Sequence, residues 1–507
     1  MLFWILKSLL ALMVGLYLLS ELITLFKIYR YKKQGIKYIR YLPLPIVFYW
    51  INQLKGSDDI YSVIKKDMKE QDPDQPFNVM NVGSKCYLTI ISEQAIKEFY
   101  AKETEVTIKQ SFFEQIKFLG FFYENGKEVQ EKRAIFSKMF HYSNVINLMP
   151  SIREVIKQHV RKLKQRAEAE GGQVKLDLKR DFSGALFNDL SACILFRGAE
   201  NKLTESFEGL NVTLLIQKMF NVFMDSQFNI FNQLPFISAL GLNREENELR
   251  RLKKGLNGIV KKEYIKKYNQ EESLDDKTVL DIMIKLNKES EKETGKPKFT
   301  MEEITSNFEV FQFAASDTSF QLSSSTLTFL ALQENHEYQK RLQAQIDAEL
   351  GASDSYSNDQ LNGLKELDLV FREAARLANP ASLITRAVTK DFKLAGYTVH
   401  KGDEIRNVLI NYQPEYYKDP YKFNPDRFNP KSADFKRAPK LKQNTFSFGQ
   451  RACVGMYLGE MMVKLVVVEL LKEFEASVES GFVMKFTQDP LYGVANPELI
   501  LKVRRSD

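Results

Sequence analysis

A chain of 507 residues, 44% hydrophobic and 27% charged, can bury a large core and lacks the composition of a disordered protein. Its formal net charge of +7 is small for that length and argues against a dedicated nucleic-acid binder, although a locally basic face remains compatible with it. Three cysteines (Cys86, Cys193 and Cys453) make no disulfide framework and fit a reducing compartment.

Residues 2–26 are almost entirely apolar, interrupted by Lys7 and Glu21, and approach the roughly 20 residues that span a bilayer. Lys27, Arg30, Lys32, Lys33, Lys37 and Arg40 follow, and only Lys7 precedes, so the positive-inside rule places the body in the cytosol. The competing reading is a cleaved signal peptide, but the run is long and no small-x-small cleavage site follows it. The expectation is a single transmembrane signal anchor over 1–26 and a basic hinge over 27–50 stiffened by Pro43 and Pro45. One mainly helical domain with a smaller β region follows over 51–507, since no Gly/Ser-rich or Pro-rich linker divides it.

Two strands are predicted over 77–82 and 86–91 about the Gly83-Ser84 turn, with helical pattern resuming at Glu93. Phe112, Phe113, Phe118, Phe121 and Phe122 mark an aromatic connection suited either to core packing or to lining an apolar site. A cation-rich helix is expected over 126–140, amphipathic helices over 149–169 and 186–196, and an unusually apolar stretch over 207–242. Residues 250–267 read as a solvated basic helix face and 287–298 as a surface loop. Thr300 and Glu303 form a capping box that opens a helix uninterrupted by Pro or Gly to about residue 334. At 1.5 Å per residue it runs roughly 50 Å. Near its middle stand Asp317 and Thr318, an acid and a hydroxyl that are costly in an apolar helix unless they have partners or a task. Thr318 can bond back to a carbonyl one turn earlier, and the plain alternative for Asp317 is that it faces solvent.

Glu373 and Arg376 lie one turn apart and can pair. Pro425-Asp426-Arg427-Phe428 follows, then Phe446-Ser447-Phe448-Gly449-Gln450-Arg451-Ala452-Cys453-Val454-Gly455. Here two glycines and a short loop deliver a lone cysteine to the start of an apolar helix, where amides and the helix dipole favour thiolate. A buried structural cysteine is the plain alternative. A sequential zinc site fails for want of CxxC or a nearby His.

This loop closely resembles the haem-binding loop of the cytochrome P-450 family, matching it at Phe446, Gly449, Arg451, Cys453 and Gly455. The resemblance implies that Cys453 is the axial ligand of a haem b iron and that Arg451 meets a haem propionate. It extends to Ala315-Ser316-Asp317-Thr318, similar to the oxygen-activation motif, with Ala315 where glycine is common. Thr318 would orient dioxygen and its waters, and Asp317 would help deliver protons. It also implies that Glu373 and Arg376 lie in the core with Arg427, that Asp426 replaces the usual glutamate, and that Arg386 is a propionate partner. Residues 381–384 would face the substrate, and 492–495 would form a final turn into the pocket. Arg133 matches a further propionate arginine, while Val129 stands in place of a tryptophan and cannot donate a hydrogen bond.

The activity so implied is insertion of one oxygen atom from dioxygen into a lipophilic small molecule on the cytosolic face of the endoplasmic reticulum membrane. The chain shows no dinucleotide fingerprint, so electrons come from outside. By resemblance the donor is a membrane-bound NADPH-cytochrome reductase, with cytochrome b5 as a further candidate. Lys127, Lys132, Lys138, Lys436, Arg437, Lys440 and Lys442 offer a basic docking face. Three alternatives stand: a reductase-independent isomerase or dehydratase of lipid peroxides, a haem-binding carrier or sensor, and a membrane-tethered interaction protein. Asp317 and Thr318 argue against the first two.

Overall fold

A computed structural model of the chain describes residues 2–36, 39–42, 74–82, 85–109, 120–197, 206–228, 243–269, 278–351, 353, 355–381, 385–407, 409–437, 445–488, 492–495 and 498–504. Pro43, Pro45, the Gly83-Ser84 turn, Phe112, Phe113, Phe118, residues 229–242, residues 382–384, Lys440 and Lys442 lie outside the described residues. The chain divides into two compact units.

The first unit comprises Met1–Gln110, Ala381–Lys422 and Ala433–Ala452. Its six-stranded sheet runs in the order Ile39–Leu42, Phe77–Val82, Lys85–Ile90, Glu404–Asn407, Thr385–Val388, Thr107–Ile108. The predicted hairpin is present, antiparallel, with Phe77 opposite Ile90 and Val82 opposite Lys85. Strand period explains the packing: Cys86, Leu88 and Ile90 are buried, with Tyr87 and Thr89 between them only half-buried. Ser92 then caps the helix Glu93–Val106, its side chain accepting from the Ala95 amide. Ala95, Ile96 and Phe99 of that helix join the sheet residues and Val388, Leu394, Val399 and Ile405 in one core. Beside it, Phe392–Leu394 and Tyr397–Val399 pair through Ala395 and Gly396, both at positive φ (48° and 86°), as a two-residue hairpin turn requires.

The first helix runs from Leu2 to Lys33, past the expected anchor boundary at residue 26. No proline lies within it, Gly15 does not end it, and the last turns have buried partners: Tyr31, fully buried, donates its hydroxyl to Asp403 at 2.7 Å. Lys27 and Arg30 each approach the same carboxylate at 3.5 Å. Among the described residues no helix is long and apolar enough to cross a membrane. The earlier part of this helix exposes Trp4, Leu12, Leu18, Leu22 and Phe26.

The second unit comprises Ser111–Pro380, Phe423–Ser432 and Cys453–Asp507. It is built on the helix Met301–Ala331, which opens on the predicted capping box: Thr300 Oγ1 accepts from the Glu303 amide, and Glu303 accepts from the Thr300 amide. The helix Met456–Glu473 packs along it, as do Phe187–Ala192 and Lys365–Leu377. The cation-rich segment forms the helix Lys127–Met139. The next helix, Tyr142–Ala169, begins earlier than the spacing predicts and carries Pro150 inside. Arg244–Tyr268 is not simply a solvated face, since Leu249, Leu252, Leu256, Ile259 and Val260 are buried. Lys253 is buried too, and pairs with Glu309 on the long helix at 3.4 Å. Phe121 belongs to the core, its ring 4.7 Å from that of Phe136. The expected final turn is instead the strand Tyr492–Val494, antiparallel to Phe486–Gln488.

Because Asp403 is fully buried, Tyr31→Phe removes a hydrogen bond to a charged acceptor that water cannot replace. Urea unfolding should show a loss of about 1–3 kcal/mol.

Candidate active site

In the second unit, the helix Lys365–Leu377 carries both Glu373 and Arg376 inward, and neither side chain is exposed at all. Arg376 donates Nε to Glu373 Oε2 and Nη2 to Oε1, each at 2.8 Å, a bidentate pair. Oε1 also accepts from Arg427 Nε at 3.1 Å and from the Asn424 amide at 2.8 Å. The turn Pro425–Phe428 is thereby tied to the helix. Asp426 in that turn accepts from Arg341 Nη2 at 2.9 Å and from its Nη1 at 3.1 Å. This is a partner the sequence did not reveal for the aspartate that departs from the family pattern.

The long helix places Asp317 and Thr318 half-buried on its middle turns. Thr318 Oγ1 donates to Ala314 O at 2.5 Å, the back-bond expected of it, and Ser316 does the same to Gln312 O at 2.7 Å. The helix stays α-helical through both. Asp317 is not a solvent-facing acid: it lines a small cavity with Gln312, Ser316 and Asn188. Arg133 is half-buried on the helix Lys127–Met139, and Val129 beside it is buried. Lys132 is bound at 2.9 Å to both Glu124 and Glu303, so its charge is already engaged and it leaves the expected docking face.

Cys453 is exposed, three positions before the helix Met456–Glu473. That helix opens at Gly455 with no side-chain cap. Its first amides are therefore left for a ligand or water. A Cβ on Gly455 would enter open space.

In the first unit, Gly449–Arg451 form a tight turn in which Arg451 is buried. Gly449 adopts φ +70°, and a Cβ there would stand 3.2 Å from Tyr100 Cδ1. Glycine is needed for both reasons. Ser447 is also at positive φ (61°), and its Oγ lies 3.0 Å from the Tyr100 hydroxyl. Phe448 meets the Tyr100 ring edge-on at 5.5 Å, and Phe446 is half-buried. Burial pushes the Tyr100 phenol up to about 12 despite the Ser447 bond. Arg386 sits opposite Ile405 in the sheet and is buried. Its Nε donates to Glu103 Oε1 at 2.6 Å and its Nη1 to Thr385 O at 3.1 Å, while its Nη2 is without a partner among the described residues. Glu103 was not singled out from the sequence, because only the fold brings it to a residue 283 positions away.

In the second unit, the exposed Cys453 sulfur before an uncapped helix, with open space beside Gly455, suits an iron ligand. In the first unit, the buried guanidiniums of Arg386 and Arg451 suit carboxylates such as those of a porphyrin. A profile of the Cytochrome P450 family matches residues 40–503, and the chain belongs to that family. Sterol 14alpha-demethylase of Mycolicibacterium vanbaalenii is 30% identical over 203 residues, 39% of this chain and 43% of that protein. Cytochrome P450 3A56 of Fundulus heteroclitus is 27% identical over 362 residues, covering 69% of this chain and 70% of the relative. Cytochrome P450 26B1 of Rattus norvegicus is 26% identical over 351 residues, 67% and 62% of the two chains. The chain thus spans less than half the length of the first of these. The family binds haem through a cysteine thiolate.

Glu373→Gln leaves two buried guanidiniums without their counter-charge. The expected loss is about 3–5 kcal/mol, read as a lowered urea midpoint with unchanged slope.

Proposed function

We propose that this chain is a membrane-anchored haem-thiolate monooxygenase, with residues 51–507 as its catalytic domain. The observation that carries the proposal is the exposed Cys453 thiol before the uncapped helix Met456–Glu473, in a chain of this family. Haem ligated by a thiolate supplies the capacity to activate dioxygen and place one of its atoms in a C–H bond. The overall balance is RH + O2 + two electrons + two protons giving ROH + H2O.

The chain's own residues hold and serve that group. Cys453 supplies the sulfur. Phe446 and Phe448 exclude water from its side of the loop, and Gly449 and Gly455 let the loop backbone approach closely. Arg133, Arg386 and Arg451 neutralise the propionates, with the Arg386 Nη2 available for the purpose. Thr318 presents its hydroxyl to dioxygen and water, and Asp317 holds and releases protons. Glu373, Arg376 and Arg427 keep the supporting helix and turn in register.

The substrate is a lipophilic small molecule, and electrons come from a separate NADPH-cytochrome reductase. The exposed Lys127, Lys138, Lys436 and Arg437 are candidates for meeting an acidic surface on that donor. Residues 1–26 anchor the protein in the endoplasmic reticulum membrane, with the body cytosolic. The apolar residues exposed along that helix support this assignment.

Reduced under carbon monoxide, the haem-loaded protein should show the red-shifted Soret band of a thiolate ligand. Cys453→Ser should abolish that band while far-UV circular dichroism is kept. Alkaline carbonate extraction of membranes should leave the full-length chain in the pellet; release into the supernatant would remove the anchor.

A further inference from the structure

The second unit holds a cavity of about 60 Å³ on one side of the long helix, whose polar lining includes Ser183, Asn188, Gln217, Gln312, Ser316 and Asp317. One water needs roughly 10–15 Å³ on this measure, so the space admits more than one. Its deep side is the helix Met301–Ala331 and its outer side is the helix Val212–Phe228, where Gln217 is exposed and donates to Ser183 Oγ at 3.4 Å.

Gln312 is the anomaly. It is 1% exposed, and neither its Nε2 nor its Oε1 has a hydrogen-bond partner among the described residues. A buried amide left bare costs about 1–3 kcal/mol at each end. A polar cavity large enough for water, beside a buried donor and acceptor with nothing else to bind, is the setting in which ordered water is found. Asn188 is also buried, and its Nδ2 is already given to Gly184 O at 2.8 Å. The carboxamide of Gln312 therefore offers that water both a donor and an acceptor.

We propose that this cavity holds a short file of water molecules, fixed by Gln312, through which protons pass from the exposed Gln217 end to Asp317. The proposal rests on the assignment of Asp317 above and deepens it. A carboxamide accepts at Oε1 and donates at Nε2 without changing its own charge, so Gln312 is a positioning residue. Each water takes one proton from the outer side and hands one inward, and Asp317 accepts the last and passes its own on. The file is left with its original composition after each transfer. Forming ROH + H2O and releasing hydrogen peroxide both take two electrons and two protons per dioxygen, so the file matters by where the second proton arrives. One that does not reach the oxygen leaving as water lets dioxygen depart as hydrogen peroxide.

The test uses the full-length, haem-loaded protein with an NADPH-cytochrome reductase and no organic substrate. It follows NADPH oxidation in H2O and D2O together with hydrogen peroxide formed per NADPH. Gln312→Leu should raise the peroxide yield at least two-fold and change the solvent isotope effect. The carbon monoxide spectrum and thermal midpoint should stay as in the parent, since no bond within the protein is lost. Gln312→Asn, which keeps an amide, should recover part of the parent behaviour. A crystal structure should show water within hydrogen-bond distance of Gln312 Oε1 or Nε2. Parent-like peroxide yield and isotope effect in Gln312→Leu, or a dry cavity, would overturn the proposal. Asp317→Asn separates the two layers: if it too behaves as the parent, the assignment of Asp317 falls and the file with it. If it diverts dioxygen while Gln312→Leu does not, only the file is wrong.

Discussion

A carboxylate with no contact to solvent holds two guanidiniums and a main-chain amide at Glu373, and much of the second unit is arranged so that it can. Taking three charges out of water is expensive, and their attraction offsets that expense only when every donor is well placed. Here one oxygen takes three bonds and the other takes one from the same arginine. The network therefore acts as a geometric lock between the helix Lys365–Leu377 and the turn Pro425–Phe428. Arg341 adds a second, more exposed tie to the same turn through Asp426.

The first unit repeats the principle with different residues. Asp403 lies under the end of the first helix and gathers Tyr31, Lys27 and Arg30, so that helix is a structural part of the unit as well as a candidate anchor. Glu103 engages one side of Arg386 and orients it. If Arg386 meets a haem carboxylate as proposed, the buried Glu103 beside it tempers the positive potential available to that second anion.

What could be read from sequence was local. The capping box at Thr300 and Glu303, the Thr318 back-bond, the hairpin on Phe77 and the pairing of Glu373 with Arg376 all depend on residues within a turn or two of each other. The loop around Cys453 was legible because its residue types are unusual and closely spaced. The rest hinges on partners that only folding supplies. Glu103 meets Arg386, Asp403 meets Tyr31, and Lys253 leaves an apparently solvated basic helix to meet Glu309. Lys132 looked like a free surface cation for the same reason, until Glu124 and Glu303 appeared beside it. Gln312 gives no signal in one dimension, since an amide in a helix is ordinary until it is found without a partner among the described residues.

The Thr318 hydroxyl spends its hydrogen on the carbonyl of Ala314. What it turns outward is then lone pairs alone. In that resting rotamer the alcohol can steady a hydrogen carried by something else but has none to give. To become a donor it must swing away from its own backbone, leaving that carbonyl one bond poorer. In the function proposed for Thr318, each pass through the reaction would carry a small torsional gate built into one side chain, set by the ordinary habit of a threonine in a helix.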